Sequence, residues 1–563
     1  MFIKMMKSKN NEYAQIVESY RAGKSIKHRV LYNLGCITAI KDNPSFQKIA
    51  KKLSELSGLV KKESEVKSKR DIKKINIKNC SEAEIKNWGY KIYKNIWNEF
   101  ELQLILEKIK QKTKIEFELG ESSFIMAVKH LLSPSSKLET YHSQNKYIRF
   151  KANKINHLYR SLDLLSENKE AIEEYIYNKN ISLFNMKIDI VFYDVTTFYF
   201  ESFEKDELRN NGFSKDSKFK EVQVVVGLMI DSEGRPIGYE LFSGDTFDGK
   251  TLKTMLEHLK KRFEIGKIII VADRGINSKI NLKSIKEFGY GYIVAARIKN
   301  MGEEIEKELF EDKGYISFET KTYKELPARF KYKIIDYTNK VTEKIDNKKI
   351  VHELKEKIIF TYSDKRASKD KKERERLLEK AENLLRTPGL IEGSNKRNGK
   401  KYIKKTEDSE VKWELDKKLL ERDKKFDGYY AIQTSELSLS ATEILDAYHT
   451  LWKIEESFRI MKTTLETRPI FHWTVKRIKG HFVICFLAFL MERTLEYKLK
   501  KNKIDLSPSQ IRSAINSMQF AQVEINGEVI LIKTKLDEHA KTILKTLNIK
   551  APANITPLTD FKL

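Results

Sequence analysis

Residues 187–194 read KIDIVFYD, and residues 267–273 read KIIIVAD. Each stretch is a short apolar run that ends in an aspartate, a pattern typical of strands buried on both faces of a sheet. The runs at 222–230 and 236–242 predict two further strands that continue the first as a meander. A helix is predicted on either side of the second quoted run, and a last strand at 291–296. This order predicts an α/β core with a mixed sheet.

The chain before this core is predicted to be mostly helical. A β-hairpin at 13–35 comes first, with a glycine in its turn, and helices follow at 44–59 and 81–112. The second of these helices opens on Ser81-Glu82-Ala83-Glu84, which has the spacing of a capping box. After the core, residues 301–425 are polar and rich in lysine, and they predict an inserted segment of strands with one charged helix.

The charge balance favours a polyanionic partner. Lys and Arg number 107 against 80 Asp and Glu, a net charge of +27, and a basic surface binds nucleic acid by releasing counterions. The alternative is a basic background, since lysine far outnumbers arginine, as in A+T-rich coding genomes. The three cysteines are far apart, which argues against a zinc site or a disulfide framework and suits a reducing compartment.

No segment of the sequence predicts a membrane protein. The most apolar run, residues 482–491, is too short to span a bilayer. The N-terminus lacks the apolar stretch of a signal peptide. We therefore expect a cytoplasmic protein that makes no membrane contact.

Two aspartates stand out because each directly follows a predicted buried strand. Asp194 closes KIDIVFYD and Asp273 closes KIIIVAD. A carboxylate at such a position is costly unless it is paired or binds a metal ion, and functional residues gather at the carboxyl ends of strands in open α/β sheets. The alternative for each residue is an ordinary turn or cap, where aspartate is also common.

A third carboxylate lies on a predicted helix that begins near Ser440. Steps of three or four residues place Tyr448, Glu455 and Lys462 on one stripe, together with Arg459 and either Leu451 or Trp452. The alternative is a solvated face with an internal Glu455–Arg459 ion pair. Two strand ends and one helix can bring three carboxylates together, and carboxylates are suited to hold two magnesium or manganese ions for phosphodiester cleavage.

These residues carry a resemblance to the DDE transposases of bacterial insertion sequences. FYDVTTFYFES (192–202) and VADRGINSK (271–279) are similar to the family's two aspartate motifs. The helix resembles the Y-x2-R-x3-E-x6-K signature, with Tyr448, Glu455 and Lys462 in place. The sequence departs from the signature at one position, because Leu451 stands where the arginine is expected. Lys453 and Arg459 are the candidates to replace its phosphate contact.

The resemblance implies a ribonuclease H-like catalytic core interrupted by a β-rich insertion. It implies that Asp194, Asp273 and Glu455 are the catalytic and metal-binding residues, with two Mg²⁺ or Mn²⁺ ions as cofactors. We expect DNA contacts from Tyr448, Lys462, Arg459, Lys453 and Arg274. His472 and His481, whose spacing fits no usual zinc motif, are expected to be structural.

The resemblance also implies a domain plan and a reaction. The expected segments are 1–115, a β-hairpin and helices for DNA recognition; 116–185, a helical connection; 186–300, the first part of the core; 301–425, the basic insertion; 426–500, the second part of the core with the Glu455 helix; and 501–563, a C-terminal region. The expected reaction is cleavage at terminal inverted repeats followed by strand transfer into target DNA, by a homodimer in a paired-end complex. Two alternatives remain: a nuclease of the same fold without strand transfer, and an inactive DNA-binding repressor of the element.

Overall fold

The computed structural model describes residues 1–8, 11–23, 25–41, 43–56, 81–150, 153–184, 189–212, 220–263, 268–317, 330–345, 348–393, 399–406 and 413–561. The chain divides into two compact units. The first contains Met1–Glu84 with Gln522–Ile532 and Ile555–Phe561, and the second contains Ile85–Ala521 with Lys533–Asn554.

The N-terminal part of the first unit is a three-stranded antiparallel sheet followed by two helices. Its elements are β1 (Phe2–Ser8), β2 (Asn11–Ala22), β3 (Ser25–Cys36), α1 (Ile37–Lys41) and α2 (Pro44–Leu56). The hairpin predicted at 13–35 is confirmed as β2 and β3, with Gly23 at a φ of 65° in the turn, a conformation that glycine adopts without steric cost. Residues 57–59 of the helix predicted at 44–59 lie outside the described residues.

The next part of the chain is helical, as predicted, but its start differs from the expectation. Its elements are β4 (Glu84–Asn87), α3 (Lys91–Glu99), α4 (Leu102–Gln111), α5 (Leu119–Leu132), α6 (Lys137–Ser143), α7 (Ile155–Glu167) and α8 (Lys169–Phe184). The predicted capping box at Ser81 is wrong. The Ser81 hydroxyl donates to the carbonyl of Glu82, and the following residues form β4, because backbone pairing in a sheet outweighs a local cap.

The predicted α/β order of the core is confirmed. Its elements are β5 (Ile190–Tyr199), β6 (Gln223–Asp231), β7 (Pro236–Ser243), α9 (Asp248–Arg262), β8 (Ile269–Ala272), α10 (Lys279–Glu287) and β9 (Gly291–Ala295). Strands β5, β6 and β7 pair antiparallel, whereas β5, β8 and β9 pair parallel. The sheet is therefore mixed, and the parallel pairing of β5 with β8 ends at Tyr193 opposite Ala272.

The inserted segment extends the same sheet. Its elements are α11 (Glu303–Phe310), β10 (Ile316–Ser317), β11 (Phe330–Ile345), β12 (Lys348–Ser363), α12 (Asp364–Arg386), β13 (Ile403–Lys405), β14 (Trp413–Leu415), α13 (Lys417–Lys425) and β15 (Tyr429–Thr434). Strand β15 pairs with both β12 and β9. The strand order across the nine strands is β10-β11-β12-β15-β9-β8-β5-β6-β7.

The C-terminal part supplies the helix with the third carboxylate and a long buried helix. Its elements are α14 (Ala441–His449), α15 (Trp452–Arg459), a π-helical turn (Ile460–Thr464), α16 (Val475–Lys501), α17 (Pro508–Ser517), β16 (Gln519–Ile525), β17 (Glu528–Lys533), α18 (Glu538–Thr546) and β18 (Ile555–Pro557). The C-terminal sheet has the order β18-β17-β16-β4. None of the helices in the described ranges is long and apolar enough to cross a membrane.

The single long helix predicted from Ser440 is two helices. Ser440 and Glu443 form a capping box that starts α14. At the junction the amides of Leu451, Lys453 and Ile454 each donate to a carbonyl only three residues earlier, which tightens the turn relative to an α-helix. Tyr448 and Glu455 therefore lie on separate helices rather than on one regular stripe.

Helices cover both faces of the core sheet. Alternate residues such as Tyr193 and Val195 pack with Leu256 of α9 and Ile285 of α10 in one apolar cluster. On the opposite face, the ring of Phe198 contacts that of Phe482 on α16 edge to face, with centroids 5.4 Å apart, and α15 packs against β5 and β6. This three-layer arrangement places α15 on the face of β5 that does not contact α9.

Candidate active site

Asp194 and Asp273 lie side by side at the end of the parallel strand pair. The parallel pairing of β5 with β8 ends at Tyr193 opposite Ala272, and the next residue on each strand is the aspartate. Adjacent strands are about 4.8 Å apart, so the two backbones approach closely here. Asp194 is half-buried and Asp273 is exposed.

The prediction that Asp194 closes its strand is wrong. β5 continues to Tyr199 because it pairs with β6 along that whole length. Asp194 therefore occupies the point where β5 loses its partner β8 on one side and keeps β6 on the other, opposite Leu228. Asp273 does follow its strand directly, as expected, since β8 ends at Ala272.

A pair of tyrosines positions Asp273. The hydroxyl of Tyr448 on α14 donates to Oδ1 of Asp273 at 3.4 Å, and it is hydrogen-bonded to the hydroxyl of Tyr430 on β15. Burial, then the neighbouring Tyr430 and Asp273, raise the pKa of Tyr448 well above its usual range. Tyr448 therefore stays protonated and acts as a donor to the carboxylate. A hydroxyl has one proton to donate, so Tyr430 is the donor within the tyrosine pair.

Helix α15 carries two adjacent glutamates with different environments. Glu456 is mostly buried and accepts a hydrogen bond from Arg493 of α16 at 3.2 Å. Glu455 is exposed, and it forms no side-chain hydrogen bond or ion pair with the residues that the structure describes. The expected alternative, an ion pair between Glu455 and Arg459, is not formed, because Arg459 pairs with Glu456 at 3.8 Å. Of the two glutamates, Glu455 is the one available to a ligand.

The basic residues predicted to contact DNA are distributed around this region. Lys462 lies in the π-helical turn with Nζ 5.5 Å from the ring centroid of Phe198 on β5. Lys453 donates to the carbonyl of Ser232, and burial lowers its pKa. Arg459 is 71% exposed, and Arg274 directly follows Asp273 and is also exposed.

The inserted segment forms a basic cavity beside Asp273 that the sequence reading missed. The cavity has a volume of about 610 Å³ and is lined by six cationic and four acidic side chains. The cations are Arg274, Arg297, Lys299, Arg366, Arg374 and Lys401. The charged helix α12 was visible in the sequence, but the pairing of β12 with β15 that brings it here depends on distant residues. We refer to this space as the arginine cavity.

A second cluster of ligand-type side chains is fully buried elsewhere in the same unit. It consists of His130 on α5, Lys137 on α6, His472, and His481 and Cys485 on α16; we call it the histidine cluster. Nζ of Lys137 donates to Nε2 of His130 at 3.1 Å. Nδ1 of His130 bonds the carbonyl of Leu465, and Nε2 of His481 bonds that of Thr467. A lysine and backbone carbonyls therefore use both nitrogens of His130 and Nε2 of His481, whereas Nδ1 of His481 is buried without a hydrogen-bond partner.

The carboxylates, rather than the histidine cluster, have the donor chemistry for magnesium or manganese. Asp194, Asp273 and Glu455 offer only oxygen atoms, which these ions prefer. Among the described residues, only His130, His481 and Cys485 bring three ligand atoms within 4.8 Å of one another, so the carboxylates are more widely spread. The structure therefore brings Asp194 and Asp273 together on neighbouring strands but does not bring the oxygens of all three carboxylates within 4.8 Å of one another.

Comparisons with known proteins point to one family. The family model "IS1634 family transposase, N-terminal domain" matches residues 3–64, and "Transposase DDE domain" matches residues 185–491, more than half of the chain. No curated protein matches the chain. The solved structures that resemble it include the piggyBac transposase synaptic complex with hairpin DNA (9% identity, TM-score 0.35, 77% of this chain and 82% of that chain). They also include the Mos1 transposase paired-end complex with the left transposon end (10%, 0.15, 32% and 60%).

Proposed function

The chain belongs to the insertion-sequence transposases with a DDE domain, and we propose that it binds the terminal inverted repeats of its element, cuts the DNA there and joins it to a target. The observation that carries this proposal is the register of the sheet. The last parallel pair of β5 and β8 places Asp194 beside Asp273, and Tyr448 tethers α14 to Asp273, only seven residues before Glu455.

Asp194, Asp273 and Glu455 are the proposed metal ligands. When bound, two divalent ions activate the attacking oxygen and stabilise the leaving oxygen of the phosphodiester. In the first step water adds to phosphorus as the bond to O3′ breaks, which leaves a 3′-hydroxyl and a 5′-phosphate. In the second step the 3′-hydroxyl attacks a target phosphate, the P–O3′ bond of the target strand breaks, and the target 3′-oxygen that leaves takes up a proton in place of the one that the attacking hydroxyl gives up. Tyr448 contributes by holding the Asp273 carboxylate through its hydroxyl.

The proposed core is ribonuclease H-like. Its support is the antiparallel meander β5-β6-β7 joined to the parallel strands β8 and β9, with helices on both faces. The inserted segment interrupts it between β9 and β15 and extends its sheet. This arrangement allows one rigid sheet to position both the carboxylates and the basic residues of the insertion.

The proposed partners are double-stranded DNA at the element ends and at the target, and a second copy of the chain in a paired-end complex. The net charge of +27 favours DNA. We propose that the N-terminal region, which the IS1634 model matches, recognises the repeats. Lys462, Arg459 and Arg274 are proposed to contact the phosphates that flank the cut, and the reaction is proposed to take place in the cytoplasm.

Cleavage of the element's own end tests the proposal. Labelled duplex DNA that spans the element boundary is incubated with magnesium and wild type, Glu455→Gln or Glu456→Gln. We expect nicking at the boundary by wild type and by Glu456→Gln, whose side chain pairs with Arg493. Glu455→Gln should bind the DNA and leave it uncut, with a loss of at least about 10²-fold.

The outcomes separate the proposal from its alternatives. Equal cleavage by wild type and Glu455→Gln would remove Glu455 from the site. Specific binding without cleavage by wild type would favour a repressor of the element. Cleavage with no joined product when target DNA is supplied would favour a nuclease.

A further inference from the structure

Leu451, which directly precedes α15, stands where the resemblance to the transposase family predicts an arginine. Leu451 is 7% exposed and fills the turn between Tyr448 and Glu455. Of the two candidates for its replacement, Lys453 donates to the carbonyl of Ser232, whereas Arg459 is 71% exposed and lies 3.8 Å from Glu456. Neither contact involves Asp273 or the tyrosine pair, whereas a cation on another element contacts the tyrosine pair.

Arg366 of α12 is a cation that contacts the tyrosine side of the site. Its Cζ lies 4.2 Å from the ring centroid of Tyr430, a distance suited to a cation–π contact. Tyr430 is hydrogen-bonded to Tyr448, and Tyr448 donates to Asp273. Three consecutive contacts thus connect a guanidinium of the inserted segment with a proposed metal ligand.

The hydrogen-bonding capacity of Arg366 is incompletely used. Its Nε is buried and has no hydrogen-bond partner. The nearest carboxylate oxygen, Oδ2 of Asp370, lies 3.6 Å from that atom and accepts a hydrogen bond from the amide of Gly428. Because the side chain is 42% exposed, an incoming phosphate can reach the guanidinium.

The other charged side chains that line the arginine cavity also favour binding of an anion. Its acidic residues have cationic partners, such as Asp427 with Arg374 and Asp423 with Lys401. Arg274 and Arg297 form no ion pair with the described residues. Nη2 of Arg297 donates to the carbonyl of Arg274 at 3.1 Å, which links the cavity to the residue after Asp273. The cavity's volume of about 610 Å³ is within the usual range of ligand sites, about 300–1,000 Å³.

We propose that Arg366, together with Arg274 and Arg297, forms a binding site for a backbone phosphate of the DNA strand being cut, and that it supplies the charge missing at Leu451. This inference rests on the proposed transposase function. Arginine suits the role because its planar fork binds two phosphate oxygens at once. The inserted segment thereby completes the active site rather than only contacting distant DNA.

The test compares Arg366→Gln with Arg376→Gln on the same helix. Arg376 is 60% exposed and pairs with Glu373, so it serves as the matched control. The probe is a duplex of the terminal inverted repeat with flanking DNA, bound at several salt concentrations. We expect Arg366→Gln to weaken binding about tenfold and to reduce the slope of log affinity against log salt by about one. Arg376→Gln should match wild type.

Neutral phosphate analogues identify the contact. Single methylphosphonate substitutions near the cut site should include one that weakens wild type but has no further effect on Arg366→Gln. Arg366→Lys, which keeps the charge, should restore the salt slope without the full affinity. If wild type binds and cuts this DNA while Arg366→Gln binds like Arg376→Gln, the phosphate site is overturned and the transposase function stands. If wild type neither binds nor cuts it, the proposed function itself fails.

Discussion

The carboxylate set and the histidine cluster are both made of side chains that bind metals, and their surroundings are opposite. Asp273, which directly follows β8, and Glu455 on α15 are exposed, whereas His130, His481 and Cys485 are buried. The buried residues hydrogen-bond to one another, to Lys137 and to backbone carbonyls. Glu455 on α15 has no such bonds within the described chain. Residue type alone therefore does not distinguish a reaction centre from a structural network.

The two sets of residues differ in the free energy that burial of their polar groups costs the folded state. A buried polar group lowers stability unless it is hydrogen-bonded, and the contacts within the histidine cluster satisfy both nitrogens of His130 and Nε2 of His481 but leave Nδ1 of His481 without a partner. Exposed carboxylates are already hydrated and can exchange water for an ion. We expect the histidine cluster to determine stability and the carboxylate set to determine activity.

Replacing one residue of the histidine cluster and one of the carboxylate set should give the largest difference between effects on stability and effects on cleavage. His481→Ala removes a buried ring and the hydrogen bond to Thr467, and it should lower the free energy of unfolding by about 2–4 kcal/mol. DNA cleavage by its folded fraction should persist at low temperature. Chemical denaturation measures the change, with His539→Ala at an exposed position as the control. A cleavage loss like that of Glu455→Gln, without destabilisation, would contradict this division of roles.

A smaller effect is expected where the carboxylate set meets the tyrosine pair. Tyr448→Phe removes the 3.4 Å hydrogen bond to Asp273. Because the bond is long, its loss should slow cleavage by about tenfold at most and leave end binding unchanged. Tyr430→Phe retains that bond, so single-turnover rates should fall less for this variant. Equal rates for Tyr448→Phe and wild type would remove the tyrosine from the positioning of Asp273.

A pH dependence of stability is expected from Lys137. Burial lowers the pKa of Lys137 to about 8 from its ordinary 10.5. Between these values the unfolded chain binds more protons than the folded chain, so stability rises with pH across this window. The groups that face Lys137 stay mostly neutral in this window. Burial lowers the pKa of His472 to about 3 and the pKa values of His130 and His481 well below normal. Burial also raises the pKa of Cys485 to about 11.

The measurement is the difference in Tm between wild type and Lys137→Met from pH 7.5 to about 10.5. Wild type should gain relative to the variant as the pH rises. Lys146→Met at an exposed position provides the comparison for general effects of charge. A constant difference over the window would mean that the pKa of Lys137 is the same in the folded and the unfolded protein, so that burial does not lower it.

Local sequence patterns predicted the strands and helices of the core well, and the local structure around the candidate site in part. KIIIVAD and its neighbours are apolar because both faces of those strands are buried, so their positions could be read from composition. The continuation of β5 beyond Asp194 could not, because Thr196 to Tyr199 are strand only through pairing with β6. The break between α14 and α15 was missed because neither Thr450 nor Leu451 is a helix-breaking residue type. Strand β4 was missed because its pairing partner is distant in the sequence.

The arginine cavity was the least predictable feature. Arg274 follows Asp273 in sequence and was expected near the site. Arg366 is 93 residues after Asp273, and it arrives only because β12 pairs with β15 and starts α12 beside Tyr430. The one available signal was the departure at Leu451, which predicted that a cation would have to come from elsewhere without indicating its source.

A metal-switch measurement tests the central claim, that Asp194 within β5 and Asp273 directly after β8 hold the metal ions. Asp273→Cys replaces an oxygen ligand by a thiolate, which binds manganese better than magnesium. We predict that this variant leaves the DNA end uncut in magnesium and recovers cleavage by roughly tenfold or more in manganese, while Asp273→Ala stays inactive in both. Wild-type cleavage by Asp273→Cys in magnesium, or equal recovery of both variants in manganese, would contradict the assignment.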